Sequence, residues 1–231
     1  MPSATVVRGS LTTFPLIRFL SYEQMFPFGN PPNYRPRKED SAAAVAARTG
    51  RTAPEVAYDW LLEDDGCSFI YTPLVNYADF NLAPAEAMLA NRNTIMGLGD
   101  GGAHVGFILD AGFPTWLLTY WGRERQAFPV EELIRRLTSD PAGAAGLTDR
   151  GILAVGKKAD LNIIDYDKLA FGRPYVAFDL PAGGRRLLQK ASGYVATIVS
   201  GAVTYRNGEA TGALPGRLVK GQRPIARLAA E

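Results

Sequence analysis

Gly97-Leu98-Gly99-Asp100-Gly101-Gly102-Ala103-His104-Val105-Gly106 is the segment on which fold class and chemistry both turn. It continues Thr94-Ile95-Met96-Gly97-Leu98, a short apolar run that reads as a buried strand meeting a tight loop. Three readings are open. Gly97, Gly99 and Gly102 satisfy G-x-G-x-x-G, but a dinucleotide fingerprint must open a helix whose positive end meets the pyrophosphate. Gly106, Gly112 and Pro114 punctuate the place where that helix would run, and no acidic strand end follows at the required spacing. The second reading is a tight turn whose glycines accept positive φ, with Asp100 bonded to the turn and His104 a satisfied neutral histidine. The third places Asp100 at the C-terminal end of a (β/α)8-barrel strand, its carboxylate directed into a catalytic cleft. A carboxylate beside a metal-bound water can take its proton and later pass it to a leaving nitrogen.

On the N-terminal side, helices are expected from Ser41 to Thr49, stopped at Gly50, and from the capping-box pattern Thr52-Ala53-Pro54-Glu55 to Gly66. Val56, Trp60 and Leu61 recur at helical spacing in the second of these. Cys67-Ser68-Phe69-Ile70-Tyr71 reads as a short strand and Ala83 to Ala90 as a helix. Before them, Phe14 to Leu20 and Met25 to Pro36 form an aromatic entry whose prolines forbid a helix between Pro27 and Pro36. So many aromatics imply packing over an apolar surface.

On the C-terminal side, a helix is expected from Pro114 to about Arg123. Another follows from Val130 to Thr138 on the stripe Val130, Leu133, Ile134, Leu137. Asp140-Pro141 reads as an N-cap with Pro at N1 of a short helix ending near Gly146. After Arg150 the texture changes to strands: Ala159 to Ile164, Tyr194 to Ser200, and Ala202 to Arg206 before the type I′ signal Asn207-Gly208.

Composition narrows the chemistry. The 231 residues carry a net charge of +2, one Cys and one His, with 47% hydrophobic residues, as in an ordinary soluble domain. That charge gives no general reason to bind nucleic acid or an anionic membrane. No apolar run approaches membrane-spanning length, and the basic tail through Arg217, Lys220, Arg223 and Arg227 reads as a solvated terminus. Cys67 cannot form an internal disulfide, which makes a reducing cytoplasm the default, and a buried, inert thiol is the expected state. One His and one Cys cannot by themselves make a His-rich or thiolate-rich zinc site.

Three pieces, in order, resemble the C-terminal half of amidohydrolase-superfamily enzymes, particularly the N-acyl-D-amino-acid deacylase (D-aminoacylase-like) branch. They are Gly99-Asp100-Gly101-Gly102-Ala103-His104; Leu133 to Leu147 with Thr138-Ser139-Asp140-Pro141-Ala142; and Asp149-Arg150-Gly151-Ile152-Leu153 with Gly156-Lys157-Lys158-Ala159-Asp160-Leu161-Asn162-Ile163-Ile164-Asp165. The resemblance implies an α/β architecture: a partial TIM (β/α) barrel, its last strands and helices, over 1–148, then strands of a small β-sandwich and a tail over 149–231. It implies metal-dependent hydrolysis of non-peptide amide C–N bonds, usually with zinc, in a small-molecule N-acyl amino acid or related amide. Asp100 would be the catalytic acid/base and a metal neighbour or ligand, with His104, Gly101 and Gly102 at the substrate.

This sequence departs from the family in ways that bear on function. The family's His-x-His pair, its bridging Lys, Glu or Cys and its two later histidines have no counterpart, since His104 is the only histidine. Where D-aminoacylases tend to hold the substrate carboxylate with an Arg, Gly112-Phe113-Pro114-Thr115-Trp116 is uncharged. A full barrel takes roughly 250 residues and eight strands, whereas two or three strands are legible before Arg150. The expectation is therefore a C-terminal fragment, inactive alone, whose partner is a missing N-terminal barrel segment or another chain. An alternative is a non-catalytic binding or assembly module that completes a barrel with a second chain.

Overall fold

The computed structural model describes residues 20–97, 99 and 105–219, which fall into two units dividing between Ala90 and Asn91. In the first unit, neighbouring side chains set the helix ends. Ser41 caps α1 (Ala42–Thr49) by accepting the Ala44 N–H at 3.2 Å, and Gly50 closes it in the left-handed region at φ +68°. α2 (Ala53–Gly66) opens with the full capping box: Thr52 Oγ1 accepts the Glu55 N–H, and Glu55 accepts the Thr52 N–H at 2.9 Å. Its regular part stops before Glu63, because Glu63 is extended and Asp64 and Asp65 are left-handed ahead of Gly66. Ala42, Ala46 and Val56 form the apolar contact between the two helices, with Trp60 packed against it and Leu61 left exposed.

Of the aromatic entry, Phe14 to Phe19 lie outside the described residues, and the part from Met25 to Pro36 packs as its composition demands. β1 (Phe26–Pro27) pairs antiparallel with β2 (Ile70–Tyr71), and Phe28 stacks on Tyr71 with ring centroids 5.3 Å apart. Phe26 is fully buried with its ring edge-on to Phe80, and Tyr77 donates to the Pro36 carbonyl at 3.0 Å. Cys67, just before β2, is exposed, contrary to the buried thiol expected: it follows the left-handed exit from α2, which turns the chain out of the core. α3 (Ala83–Ala90) completes this unit.

In the second unit, α4 (Phe113–Trp116) continues without a break into a π-helical run, Leu117–Glu124. The Arg125 N–H reaches the Tyr120 carbonyl, five residues back, at 2.7 Å. α5 (Val130–Leu137) buries Leu133 and Arg136; Ile134 is exposed, so the buried stripe is rotated from the expected one. Arg136 is tolerated inside because its Nε donates to Glu132 Oε1 at 2.8 Å. α6 (Ser139–Ala144) starts one residue before Asp140, so Thr138, not Asp140, stands at the N-cap. Asp140 instead binds Arg135, with Nη1–Oδ1 at 2.6 Å.

The strands follow: β3 (Leu161–Ile164), β4 (Ala170–Phe171), β5 (Tyr175–Leu180), β6 (Gly184–Leu188), β7 (Ala191–Ser192), β8 (Tyr194–Val199), β9 (Ala202–Arg206) and β10 (Glu209–Ala210). An antiparallel sheet runs β10-β9-β8-β3, and the pairs β4-β7 and β5-β6 stand apart from it. Asn207 and Gly208, at φ +49° and +83°, form the expected type I′ turn between β9 and β10. Ser200 and Gly201, at φ +51° and +81°, do the same between β8 and β9. The chain is thus a mixed helix-and-sheet protein, as expected. Among the described residues, no helix is long and apolar enough to cross a membrane.

Residues on both sides of position 149 pack within this second unit. Thr115 Oγ1 lies 2.8 Å from Tyr194 Oη, and the Tyr166 hydroxyl donates to the Leu118 carbonyl at 3.1 Å. Arg123 donates to the carbonyls of Tyr166, Asp167 and Leu169 at 2.6, 3.0 and 2.7 Å.

Candidate active site

Asp100, Gly101, Gly102 and His104 lie outside the described residues, which flank that segment on both sides. The run leading in is not the strand expected of Thr94 to Leu98: residues 94–97 take no strand pairing. Thr94 is held in a turn, its N–H and hydroxyl both donating to the Asn91 carbonyl at 3.2 and 2.8 Å, and Ile95 is 53% exposed. An apolar run becomes a buried strand only where a neighbour offers a ladder, and none does so here among the described residues. β2 likewise pairs with β1, antiparallel, and not with a parallel barrel neighbour.

The loop ends are nevertheless fixed. Gly99 lies against the start of the helical run: a Cβ there would stand 3.1 Å from both Ala111 Cα and the Phe113 ring, and 3.3 Å from the Asp110 carbonyl. A side chain at residue 99 would thus require backbone or ring to shift by a few tenths of an ångström. At the other end the Val105 carbonyl accepts the Leu187 N–H of β6 at 2.7 Å. The uncharged stretch Gly112–Trp116 is engaged in packing: a Cβ on Gly112 would fall 2.5 Å from the Phe171 ring, and buried Thr115 meets Tyr194.

The third piece of the motif is an ionic knot. Asp160 accepts from Lys158 Nζ at 2.9 Å and from the Ser200 N–H at 2.8 Å, with Arg150 Nη1 at 3.6 Å. The Gly201 N–H donates to the Ala159 carbonyl, and the Lys158 N–H to the Asp149 carbonyl. Burial alone would raise the Asp160 pKa, but the Lys158 and Ser200 hydrogen bonds and the two cations outweigh it and hold the carboxyl below its ordinary value. Asp149 is lowered as well, chiefly by its hydrogen bond from Arg150. These groups pin the β8–β9 turn to the start of β3; their work is structural.

The amidohydrolase family model matches residues 32–205, more than half of the chain and a span that includes both the Asp100 loop and the Asp160 knot. The chain belongs to the amidohydrolase family. Three solved structures of D-aminoacylase align with it: a variant in complex with copper chloride, the parent enzyme, and a form used to study that enzyme's binuclear metal centre. Identities are 20%, 21% and 20%, and TM-scores 0.46, 0.45 and 0.46. Each alignment covers 82% of this chain but 36% of the solved one, so the chain spans little more than a third of their length. No curated protein matches it.

Among the described residues no group of three His, Cys, Asp or Glu side chains comes together to hold a metal. One His and one Cys in the whole sequence cannot by themselves make a His-rich or thiolate-rich metal site. An open cleft of about 520 Å³ lies beside the π-helical run, lined by Arg123, Gln126, Phe128, Pro129 and Tyr166 among others. Its lining holds no carboxylate or imidazole, and Arg123 is already engaged with three carbonyls. The Tyr166 hydroxyl in that lining already donates to the Leu118 carbonyl, and burial raises its pKa, so it is not poised to take a proton from water.

Proposed function

We propose that this chain is the C-terminal part of a metal-dependent hydrolase that cleaves the amide C–N bond of N-acyl amino acids. The observation that carries the reading is the family match over 32–205, which joins the Asp100 loop and the Asp160 knot in one frame. Asp100 is the acid/base: its carboxylate takes a proton from the attacking water and delivers it to the leaving nitrogen, so the proton ends on the amine. Gly101 and Gly102 leave room for the substrate backbone, and His104 contacts the substrate. Zinc, and Asp100 as one of its ligands, belong to the same reading. The remaining ligands would come from polypeptide outside this sequence.

The helices between Phe113 and Ala144, followed by the antiparallel sheet β10-β9-β8-β3, support a partial barrel over 1–148 leading to sandwich strands over 149–231. A second reading, a non-catalytic module that completes another chain's barrel, is favoured by the single histidine. Zinc analysis and hydrolysis of N-acyl amino acids separate the two. The chain alone should hold no stoichiometric zinc and turn over nothing; tight zinc with turnover would refute the proposal that ligands lie elsewhere. Joined to upstream polypeptide bearing His-x-His, it should gain activity, and Asp100→Asn should then lower turnover at least ~100-fold. A loss under about threefold would remove Asp100 from the mechanism.

A further inference from the structure

A π-helix is wider than an α-helix and less well bonded, so an eight-residue run needs anchors outside itself. Its anchors converge on one loop. The Leu118 carbonyl accepts the Tyr166 hydroxyl at 3.1 Å, and the Arg123 guanidinium is held by the carbonyls of Tyr166, Asp167 and Leu169. Leu118 and Arg123 are five residues apart, the spacing of a bonded pair in a π turn, whereas an α turn bonds residues four apart. The same loop also crowds the space between them: a Cβ on Gly122 would lie 2.6 Å from Tyr166 Oη and would have to displace that hydroxyl.

We infer that the loop Tyr166–Leu169 is a register clamp that selects the π over the α conformation of residues 117–124. Gripping a carbonyl at position i and a side chain at i+5 fixes the extra residue in the turn. Without the grip, the ordinary α register, with its better hydrogen-bond geometry, is the lower state. The consequence reaches the other end of the run. α4 is continuous with the π segment and carries Phe113 against Gly99, so the clamp also sets the seat of that glycine. The inference goes beyond the proposed hydrolysis and does not depend on it.

Hydrogen-bond scalar couplings measured by NMR on the intact chain identify the acceptor of each amide and so read the register directly. In the wild type, Arg125 N should couple to the Tyr120 carbonyl carbon, as the 2.7 Å bond requires. Tyr166→Phe keeps the ring over Arg123 and removes only the hydroxyl. It should move that coupling to the Trp121 carbonyl in about half or more of the molecules. The near-UV circular dichroism of the Trp116–Tyr120 stack, with centroids 4.5 Å apart, should change in step. Gly122→Ala, which crowds the hydroxyl off Leu118, should do the same where it folds. An Arg125 N coupling that stays on Tyr120 in Tyr166→Phe at wild-type intensity overturns the clamp, as does a wild-type coupling of Arg125 N to the Trp121 carbonyl.

Discussion

The helix pair α1–α2 and the helical run from Phe113 to Glu124 differ in where their instructions come from. The pair is bounded by groups at most three residues from each N-terminal end: Ser41 on Ala44, and Thr52 with Glu55. The run takes its shape from Tyr166, Leu169 and Tyr194, more than forty residues further along. A helix whose ends are written beside it can be read in a window of sequence. A helix bent into π geometry by a distant loop cannot, because no local residue carries the cause.

The largest effect expected from this difference is at Leu133. Its side chain is fully buried, and its Cδ1 lies 3.0 Å from where a methyl on Gly122 would stand, so α5 is packed directly on the π-helical run. Leu133→Ala should cost about 3 kcal/mol in urea unfolding followed by circular dichroism, from lost burial plus the cavity left behind. Were local signals dominant in both regions, the cost would be no larger than that of removing a helix cap.

A middle case tests the knot at Asp160, where neighbours in sequence meet a partner forty residues away. Removing the carboxylate in Asp160→Ala leaves the Ser200 N–H and Lys158 without their acceptor and should cost about 1–2 kcal/mol at neutral pH. The pH dependence has a definite sign. A folded-state pKa below the ordinary 3.8 gives a contribution that is whole above that value and lost as pH falls through the lower folded value. Wild type and Asp160→Ala should therefore converge in stability as pH falls through the lowered folded-state pKa. Curves that stay parallel throughout acid unfolding would show that the ionised carboxylate contributes nothing through Ser200 or the two cations.

Much of the fold was legible for the same reason that α1 and α2 are bounded locally. Gly50, the Thr52–Glu55 box and Asn207-Gly208 each carry their geometry in one or two residues, and all three appear as expected. What failed depended on partners. Residues 94–97 have a strand's composition but no ladder, and Asp140-Pro141 has a cap's composition but an Arg135 to bind instead. The β5–β6 hairpin went unread although Gly183 stands in its turn at φ +72°, because the other left-handed position, at φ +59°, falls on Ala182 and breaks the usual Asn-Gly signature. At the candidate site, Asp100 rests on resemblance alone. The spacing of its glycines suits a turn or a barrel end, and among the described glycines of this segment Gly99 is the crowded one.

The smallest expected effect closes the comparison from the local side. Thr52→Ala removes the hydroxyl that accepts the Glu55 N–H but leaves the Thr52 N–H bond to the Glu55 carboxylate. Because that backbone bond is the main cause of the lowered Glu55 pKa, with the hydroxyl second, the pKa should rise only part of the way to its ordinary value. The stability cost should be about 1 kcal/mol, the usual scale of a lost N-cap. NMR titration of Glu55 beside urea unfolding checks both. A complete return of the pKa would mean that the hydroxyl alone holds the box, and that even this short-range signal is simpler than the two-way exchange seen between residues 52 and 55.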